Sequence, residues 1–353
     1  MATTTARISL PGPFQGLRES LTEARYRARH KSLAVGLGTL SGAWHQVLNP
    51  KPRPSPESVR ALLRRMDTLL ERDLQNVRDG LYPRSLLFQM PVARYLAQAP
   101  ENAAEFGRVW WRRRKHAHDD LPAPARDPAY PRYYTRTFHW QSDGWFSAES
   151  AARYDAGVEF LFGGTADIMR RQVVPAVLGA TQGRATPRVL DIACGTGRFL
   201  HQLHAAHPKA RLYGADLSPY YLQYAGDLLR HVPGLSLLCD NAESLPLRDG
   251  SFDAITSLFL FHELPKDVRR TVLREALRLL RPGGTLAVLD SAQLVESPDI
   301  APFLEEFPNL YHEPYYRSYL RDPLEEAITE CGFEGVRVER QFLSKLVVAR
   351  KGR

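Results

Sequence analysis

From residue 187 onwards, short apolar segments alternate with stretches of helical periodicity, and this alternation constrains the fold more than any other feature. Repeated β–α units of this kind build a parallel sheet with helices on both of its faces. We predict seven strands, at residues 188–192, 211–215, 235–238, 252–258, 285–290, 335–340 and 343–349. The last two are close in sequence, so we expect them to form an antiparallel C-terminal hairpin on a mostly parallel α/β sheet.

The first predicted strand runs into a glycine-rich turn and then a helix, in the segment VLDIACGTGRF. Gly195 and Gly197 allow the backbone to approach a ligand closely at the positive end of that helix. The third glycine of dinucleotide-binding turns is replaced by Leu200, and the acidic Asp191 at the strand end would repel a pyrophosphate. The turn therefore favours a zwitterionic, cationic ligand.

Two further acids follow the second and third predicted strands. Asp216 lies about twenty residues beyond the glycine turn, where a carboxylate can accept both hydroxyls of a ribose. Asp240 can accept a hydrogen bond from an exocyclic amino group. Each acid alone could be a helix cap or a surface residue. Because Asp191, Asp216 and Asp240 follow three successive strands, their joint placement predicts a site for an amino-acid moiety, a ribose and an adenine.

Five motifs occur in a fixed order, namely VLDIACGTGRF, YGADLS, CDNAESLPL, FDAITSLFLFHEL and LLRPGGTLAVLD. This series resembles that of class I S-adenosylmethionine-dependent methyltransferases, specifically the UbiE-like group that includes ubiquinone and menaquinone methyltransferases. The resemblance covers about residues 150–350. It implies a Rossmann-like fold and S-adenosyl-L-methionine as cofactor, with S-adenosyl-L-homocysteine as product and no metal ion.

The resemblance also implies a role for each motif. The glycine turn would hold the methionine part of the cofactor, Asp216 the ribose and Asp240 with Asn241 the adenine, while Ser257 and Leu258 would lie beside the sulfonium. The expected cofactor-binding residues are Tyr154, Arg171, Asp191, Ala193, Gly195, Thr196, Gly197, Asp216, Leu217, Asp240, Asn241, Ala242, Ser257 and Leu258. The chain departs from the quinone methyltransferases after the fourth strand, where His262-Glu263 replaces Arg-Asn, so the resemblance does not imply quinol specificity.

A helix is predicted over residues 147–171, with Ser147 as its N-cap and a break at Gly163-Gly164. A leading helix closes over the cofactor in related folds. We expect Tyr154 to act as this lid, and Arg170 or Arg171 to bind the carboxylate of the methionine part. The alternative is that these side chains only extend along the protein surface from the edges of a helix.

Methyl transfer is an in-line displacement, so the enzyme mainly aligns the acceptor, excludes water and supports the changing charge. An oxygen or carbon acceptor also requires a base. His262, with Glu263, is the best candidate by residue type and position. The alternative is that His262 only hydrogen-bonds the backbone or the cofactor, while Glu263 caps the next helix.

Residues 298–320 are rich in aromatic side chains and follow the fifth predicted strand. They are Phe303, Phe307, Tyr311, Tyr315, Tyr316 and Tyr319, with His312 among them as a second, weaker base candidate. An insertion here would cover the carboxyl edge of the sheet and form an aromatic pocket for a planar or hydrophobic molecule. Packing of these rings in the core is the alternative.

The N-terminal part of the chain is basic. Residues 1–140 contain 23 Lys and Arg against 12 Asp and Glu, whereas residues 141–353 contain 24 against 27. We expect an arm and linker over 1–54, a helical, basic module over 55–140 and the methyltransferase domain over 141–353. Residues 30–48 and 108–116 are candidates for peripheral membrane contact, but a solvated helix end whose tryptophans pack inward is the more common explanation of such a basic cluster.

The expected function is methyl transfer from S-adenosylmethionine to an oxygen, carbon or nitrogen atom of a hydrophobic or aromatic small molecule. The alternatives are a nucleic-acid or protein methyltransferase guided by the basic module, and a non-catalytic cofactor-binding protein. A nucleic-acid acceptor is disfavoured because the fourth strand is not followed by the Asn/Asp-Pro-Pro-Tyr stretch of base amino methyltransferases. Three dispersed cysteines point to a reducing compartment and a cytoplasmic location, with organelle import as the alternative. The sequence leaves the oligomeric state open.

Overall fold

The computed structural model describes residues 15–48, 54–114, 120–138 and 141–353. Seven strands form one sheet in the order β3-β2-β1-β4-β5-β7-β6. They are β1 (Arg188–Ile192), β2 (Arg211–Asp216), β3 (Ser236–Cys239), β4 (Phe252–Leu258), β5 (Leu280–Ser291), β6 (Phe333–Gln341) and β7 (Ser344–Lys351). The first five strands run parallel, and β7 runs antiparallel to both β5 and β6. The predicted fold class and the C-terminal hairpin are confirmed.

The fifth strand differs most from its prediction, because it begins at Leu280 instead of residue 285. Its first residues include Gly284, where a Cβ would lie 2.8 Å from the carbonyl oxygen of Arg281. The pairing with β4 shifts register between Phe252 and Ala254. The glycines therefore let the strand start early, across a bulge that the apolar pattern alone does not reveal.

Thirteen α-helices occur in the part of the chain that the structure describes. They are α1 (Gln15–Leu48), α2 (Pro56–Arg78), α3 (Val92–Ala97), α4 (Ala99–Arg114), α5 (Ala148–Leu161), α6 (Ala166–Arg171), α7 (Val174–Thr181), α8 (Arg198–Ala206), α9 (Pro219–Leu228), α10 (Lys266–Leu279), α11 (Ala301–Leu310), α12 (Tyr316–Tyr319) and α13 (Leu324–Glu330). Ser147 caps α5 by accepting a hydrogen bond from the Ser150 amide, as predicted. The predicted break lies between α5 and α6, where Gly163 and Gly164 both have positive φ.

Helices α1 and α2 share one hydrophobic core with the sheet. Tyr26 of α1 and Leu70 of α2 belong to the same buried cluster as Val189 of β1 and Leu346 of β7. The opposite face of the sheet packs against α10 and α13 in a second cluster. Met66 and Leu74 of α2 also belong to the cluster that includes the sheet residues, so this helix packs on the sheet.

A buried carboxylate fixes this docking. Asp73 of α2 accepts hydrogen bonds from the hydroxyls of Tyr26, at 2.5 Å, and Tyr82, at 2.6 Å. It also accepts from Arg171 of α6, with Nε at 3.0 Å and Nη2 at 2.5 Å. All four side chains are buried. Asp73 therefore joins α1, α2 and the turn after α2 to α6.

None of the helices within residues 15–48, 54–114, 120–138 and 141–353 is long and apolar enough to cross a membrane. Of the segments considered for membrane contact, 30–48 lies in α1 and 108–114 ends α4. Residues 115 and 116 of the basic cluster lie outside the described residues, as do residues 1–14 of the predicted arm and 49–53 of the predicted linker.

We predict that Asp73→Asn lowers the free energy of unfolding by about 3–5 kcal/mol, because Arg171 would keep a buried charge without its partner. Urea denaturation measures this change. The matched control is Asp67→Asn on the same helix, since Asp67 forms an exposed ion pair with Lys31. That variant should lose less than about 1 kcal/mol. Equal losses in the two variants would show that Asp73 does not hold the helices in place.

Candidate active site

The turn after β1 forms the centre of the site. Ala193, Gly195 and Gly197 have φ values of 56°, 52° and 74°. A Cβ at Gly197 would lie 2.7 Å from Leu229 Cδ1, so the start of α8 packs closely against the end of α9. Ala193 has a left-handed backbone conformation although it is not glycine. Such strained conformations are more frequent at functional sites than elsewhere. The turn thus brings backbone groups to the carboxyl edge of the sheet.

Asp216, at the end of β2, connects the loop after β1 to the loop after β2. Its carboxylate accepts hydrogen bonds from the amides of Gly195, at 2.8 Å, and Ser218, at 2.9 Å. Burial raises the pKa of Asp216 to about 6, although these hydrogen bonds act in the opposite direction. A carboxylate in this position is ready to accept hydrogen bonds from ligand hydroxyls.

Asp191 lies at the end of β1 and accepts a hydrogen bond from the Thr256 hydroxyl at 2.7 Å. Burial raises its pKa to about 7, the charge of Asp216 adds to this shift, and the Thr256 hydrogen bond and Arg170 oppose it. Two neighbouring acids with raised pKa values occupy the strand ends. A cationic ligand beside them would favour their ionised forms.

A cavity of about 830 Å3 opens above these strand ends, and we call it the cofactor cavity. Nine of the residues predicted to bind the cofactor line it, namely Tyr154, Ala193, Gly195, Asp216, Leu217, Asp240, Asn241, Ala242 and Leu258. Its mixture of aromatic walls and a few polar groups is typical of a small-molecule site. The structure therefore brings most of the predicted set together.

Four other predicted residues are close to this cavity in sequence but do not line it. Asp191 is buried beneath the strand ends, and Thr196 donates a hydrogen bond to Asp155 at 2.9 Å. Gly197 provides the close packing of α8 on α9. Ser257 lies within β4, paired with Ile192 and Val288 of the neighbouring strands. These residues support the cavity from below.

The assignment of Arg171 to the methionine carboxylate is corrected by the structure. Arg171 is buried and bound to Asp73, on the side of α6 that faces the N-terminal helices. Arg170, the other candidate, donates to Asp167 at 3.0 Å and lies 3.9 Å from Asp155. Since Asp155 accepts the Thr196 hydroxyl, Arg170 is the arginine of this pair that lies behind the glycine turn.

Four residues in the wall of the cofactor cavity were not predicted from the sequence. Tyr133, Tyr134, Phe138 and Trp145 precede α5 and line the cofactor cavity. The Trp145 ring packs edge to face on Tyr154, with 5.6 Å between centroids. The density of aromatic residues in the segment YYTRTFHWQSDGW was the available signal. Residues 139 and 140 of this segment lie outside the described residues.

A second cavity, of about 800 Å3, adjoins the first, and we call it the acceptor cavity. Its lining is Tyr154, Val158, Leu161, Phe162, Phe259, His262, Ser291, Phe303, Leu304, Phe307, Tyr316 and Leu343. Tyr154 and Phe259 also line the cofactor cavity, so these two residues form the boundary between the cavities.

The aromatic segment 298–320, which we call the cap, contributes only some of its rings to the acceptor cavity. Phe303, Phe307 and Tyr316 line it. Tyr311 and Tyr319 are buried, and the Tyr319 hydroxyl donates to the Ser291 carbonyl at 2.5 Å, so packing accounts for these two. His312, the second base candidate, lines neither of the two cavities.

His262 follows β4 and is held by Asp290 at the end of β5. The distance between His262 Nδ1 and Asp290 Oδ1 is 2.7 Å. The same carboxylate accepts hydrogen bonds from the amides of Phe261 and Ser291, both at 2.7 Å. Burial lowers the pKa of His262, but Asp290 and the nearby Glu263 and Glu313 raise it more, so it lies above its ordinary value. Asp290 therefore fixes the ring and increases its basicity.

Comparison with known proteins agrees with this geometry. Residues 189–284 match the family model described as a methyltransferase domain. A ubiquinone/menaquinone biosynthesis C-methyltransferase of Methylobacterium nodulans is 35% identical over 147 residues, which cover 40% of this chain and 55% of that protein. A demethylmenaquinone methyltransferase of Thermus thermophilus is 37% identical over 145 residues, covering 40% and 63%. Residues 189–284 therefore resemble a methyltransferase domain, and the chain is similar to UbiE-like proteins.

Each of these relatives matches about two fifths of this chain. A malonyl-[acyl-carrier protein] O-methyltransferase of Hahella chejuensis is also 33% identical over 139 residues, or 39% of this chain and 47% of that protein. The chain spans about half the length of two of these relatives and 63% of the third. The part matched by the family model, residues 189–284, contains the glycine turn and Asp216. The aromatic segment 298–320 follows the part matched by the family model.

We predict that Asp191 makes the ligand-free protein less stable as pH rises. Its ordinary pKa of about 3.9 in the unfolded chain rises to about 7 in the fold, so the folded state binds more protons between these values. The free energy of unfolding should fall on going from pH 5 to pH 8, and Asp191→Asn should reduce this fall by about 2 kcal/mol. Urea denaturation at both pH values checks this, and an unchanged pH dependence in the variant would contradict it.

We also predict that Asp216→Ala weakens binding of S-adenosylhomocysteine by about 1.5–3 kcal/mol, because hydrogen bonds to a charged acceptor are lost. Isothermal titration calorimetry measures this. Asp227→Ala is the matched control, since Asp227 is an exposed acid of α9. Affinity that is unchanged in the Asp216 variant would show that this carboxylate does not contact the ligand.

Proposed function

We propose that this protein transfers a methyl group from S-adenosylmethionine to an oxygen, carbon or nitrogen atom of a hydrophobic or aromatic small molecule. The observation that carries the proposal is the meeting of two cavities at Tyr154 and Phe259. One cavity has polar groups at three strand ends, and the other is lined mainly by apolar side chains. This arrangement separates the places for a methyl donor and a methyl acceptor while keeping them in contact.

The residues of the cofactor cavity fit S-adenosylmethionine. Asp216 would accept the ribose hydroxyls, Asp240 with Asn241 would bind the adenine, and the backbone at Gly195 would face the amino-acid part. The raised pKa values of Asp191 and Asp216 fit a cationic ligand, because its charge would favour their ionised forms. When bound, the cofactor supplies an electrophilic methyl group on a positively charged sulfur.

The protein's own contribution is alignment and exclusion of water. Tyr154 of α5 and Phe259 after β4 would guide the two reactants together across the boundary. Phe259 has a φ of 58° and its ring stacks on Phe162, with centroids 5.3 Å apart, so its orientation is fixed from two sides. We propose no metal cofactor, because a sulfonium is already an activated leaving group.

The names of the relatives support small-molecule or acyl acceptors, as in demethylmenaquinone methyltransferase and malonyl-[acyl-carrier protein] O-methyltransferase. We propose a cytoplasmic location, in line with three free cysteines at 194, 239 and 331.

No observation on the described residues favours a nucleic-acid or protein acceptor. We place Arg170, in place of Arg171, as the candidate partner for the methionine carboxylate.

The direct test supplies S-adenosylmethionine with a deuterated methyl group to the full chain, together with a small-molecule extract of its source organism. Mass spectrometry should detect a labelled product that is strongly reduced with Asp216→Ala and unchanged with the exposed control Asp227→Ala. If no label moves to a small molecule although S-adenosylmethionine binds, the proposed acceptor class is wrong. If the cofactor does not bind, the proposed donor is wrong.

A further inference from the structure

We propose that the acceptor cavity takes a planar, apolar molecule with an ionisable hydroxyl, of the phenol or enol class, and that His262 removes the hydroxyl proton. Asp290 acts behind it as a positioning residue. The product is then a methyl ether. This inference rests on the proposed function and narrows it, since it selects oxygen among the three possible acceptor atoms.

The walls of the acceptor cavity favour a planar molecule. Phe259 and Phe162 stack with their rings 26° from parallel and form one aromatic face. Phe303 and Phe307 enter from α11, and the Phe307 ring lies 4.8 Å from that of Tyr316. Aromatic faces of this kind stack on flat rings, and the aliphatic residues that complete the lining add apolar contact.

Few polar side chains interrupt these walls. The Ser291 hydroxyl and the Tyr316 hydroxyl lie 2.6 Å apart and hydrogen-bond each other. Burial raises the pKa of both Tyr154 and Tyr316, so neither ionises near neutral pH. Among the cavity's lining residues that the structure describes, His262 is therefore the side chain that can exchange a proton near neutrality.

The histidine also lies close to a residue that lines the cofactor cavity. It lines the acceptor cavity, while Glu263, which lines the cofactor cavity, has its Oε1 atom 3.8 Å from His262 Nε2. Nδ1 is on the Asp290 side of the ring. The Nε2 edge is thus the one nearer to the cofactor cavity. A hydroxyl that donates to Nε2 would be held beside the entry point of the methyl group.

The charges around His262 make it a stronger base. Asp290 faces it from β5, Glu263 from the turn after β4 and Glu313 from the cap, and their negative charges favour the imidazolium. The rings of Tyr316 and Tyr319 pack against it from α12, at 5.9 and 6.2 Å between centroids. An imidazolium formed by proton transfer is therefore stabilised by Asp290, and it pairs with the oxyanion of the acceptor.

The proposed step balances without another reagent. The hydroxyl proton moves to Nε2 of His262, and the acceptor oxygen uses an electron pair to bond the methyl carbon. The carbon–sulfur bond breaks at the same time, and its electron pair goes to sulfur, which changes from a cationic sulfonium to a neutral thioether. The imidazolium then releases its proton to solvent.

The test uses 4-nitrophenol, whose ionised form absorbs visible light, bound to the full chain in the presence of S-adenosylhomocysteine. We expect binding to lower the apparent pKa of the probe by about one unit relative to the free probe, because an imidazolium partner favours the phenolate. His262→Gln should abolish this shift, and Asp290→Asn should reduce it. A purely structural role for either residue would not move the ionisation of the probe.

His312→Gln is the matched control, because it removes a histidine of the cap that lines neither cavity, and it should leave the shift intact. Competition by 4-nitroanisole, which has no hydroxyl, tests whether the probe occupies the apolar cavity. Failure of the probe to bind, a bound probe with an unshifted pKa, or a shift that persists in His262→Gln would overturn the proposal. Binding of S-adenosylhomocysteine is measured separately by calorimetry, so failure of the proposed cofactor is recognised independently.

Discussion

The half-buried carboxylate of Asp216 is the constraint on which the site depends. It accepts amide hydrogen bonds from Gly195 and Ser218, and so joins the loop after β1 to the loop after β2. Its desolvation is unfavourable unless such partners are present. Asp191 and Asp290 follow the same rule at the ends of β1 and β5, with Thr256 and His262 as partners. These carboxylates are thus held at the strand ends by the hydrogen bonds that make their desolvation tolerable.

The N-terminal helices complete this arrangement from outside the sheet. Asp73 binds Arg171 of α6, and the His30 ring of α1 contacts the Gly164 carbonyl with Nδ1 at 3.0 Å. A Cβ at Gly163 would lie 3.4 Å from Ala34, so α1 packs directly on the break between α5 and α6. Because α5 carries Tyr154, these contacts fix the helix that forms part of the boundary between the two cavities.

The sequence predicts the sheet, the hairpin and most of the cofactor cavity, because strand ends and glycine turns are local features. It does not predict the ion pair between Arg171 and Asp73. The two residues are 98 positions apart in the sequence, and only tertiary packing brings them together. The position of Phe259 at the boundary of the two cavities was not predicted, for a different reason. Its value as a boundary residue comes from a positive φ and from stacking on Phe162, and neither is visible in the apolar pattern of β4.

The central claim is that donor and acceptor occupy separate cavities that meet at Tyr154 and Phe259. A crystal structure of the full chain with S-adenosylhomocysteine tests it most directly. The account predicts ribose hydroxyls within hydrogen-bond distance of Asp216, the adenine beside Asp240 and Asn241, and the sulfur at the boundary of the two cavities. A nucleoside bound elsewhere, or a sulfur directed away from Tyr154 and Phe259, would contradict the claim.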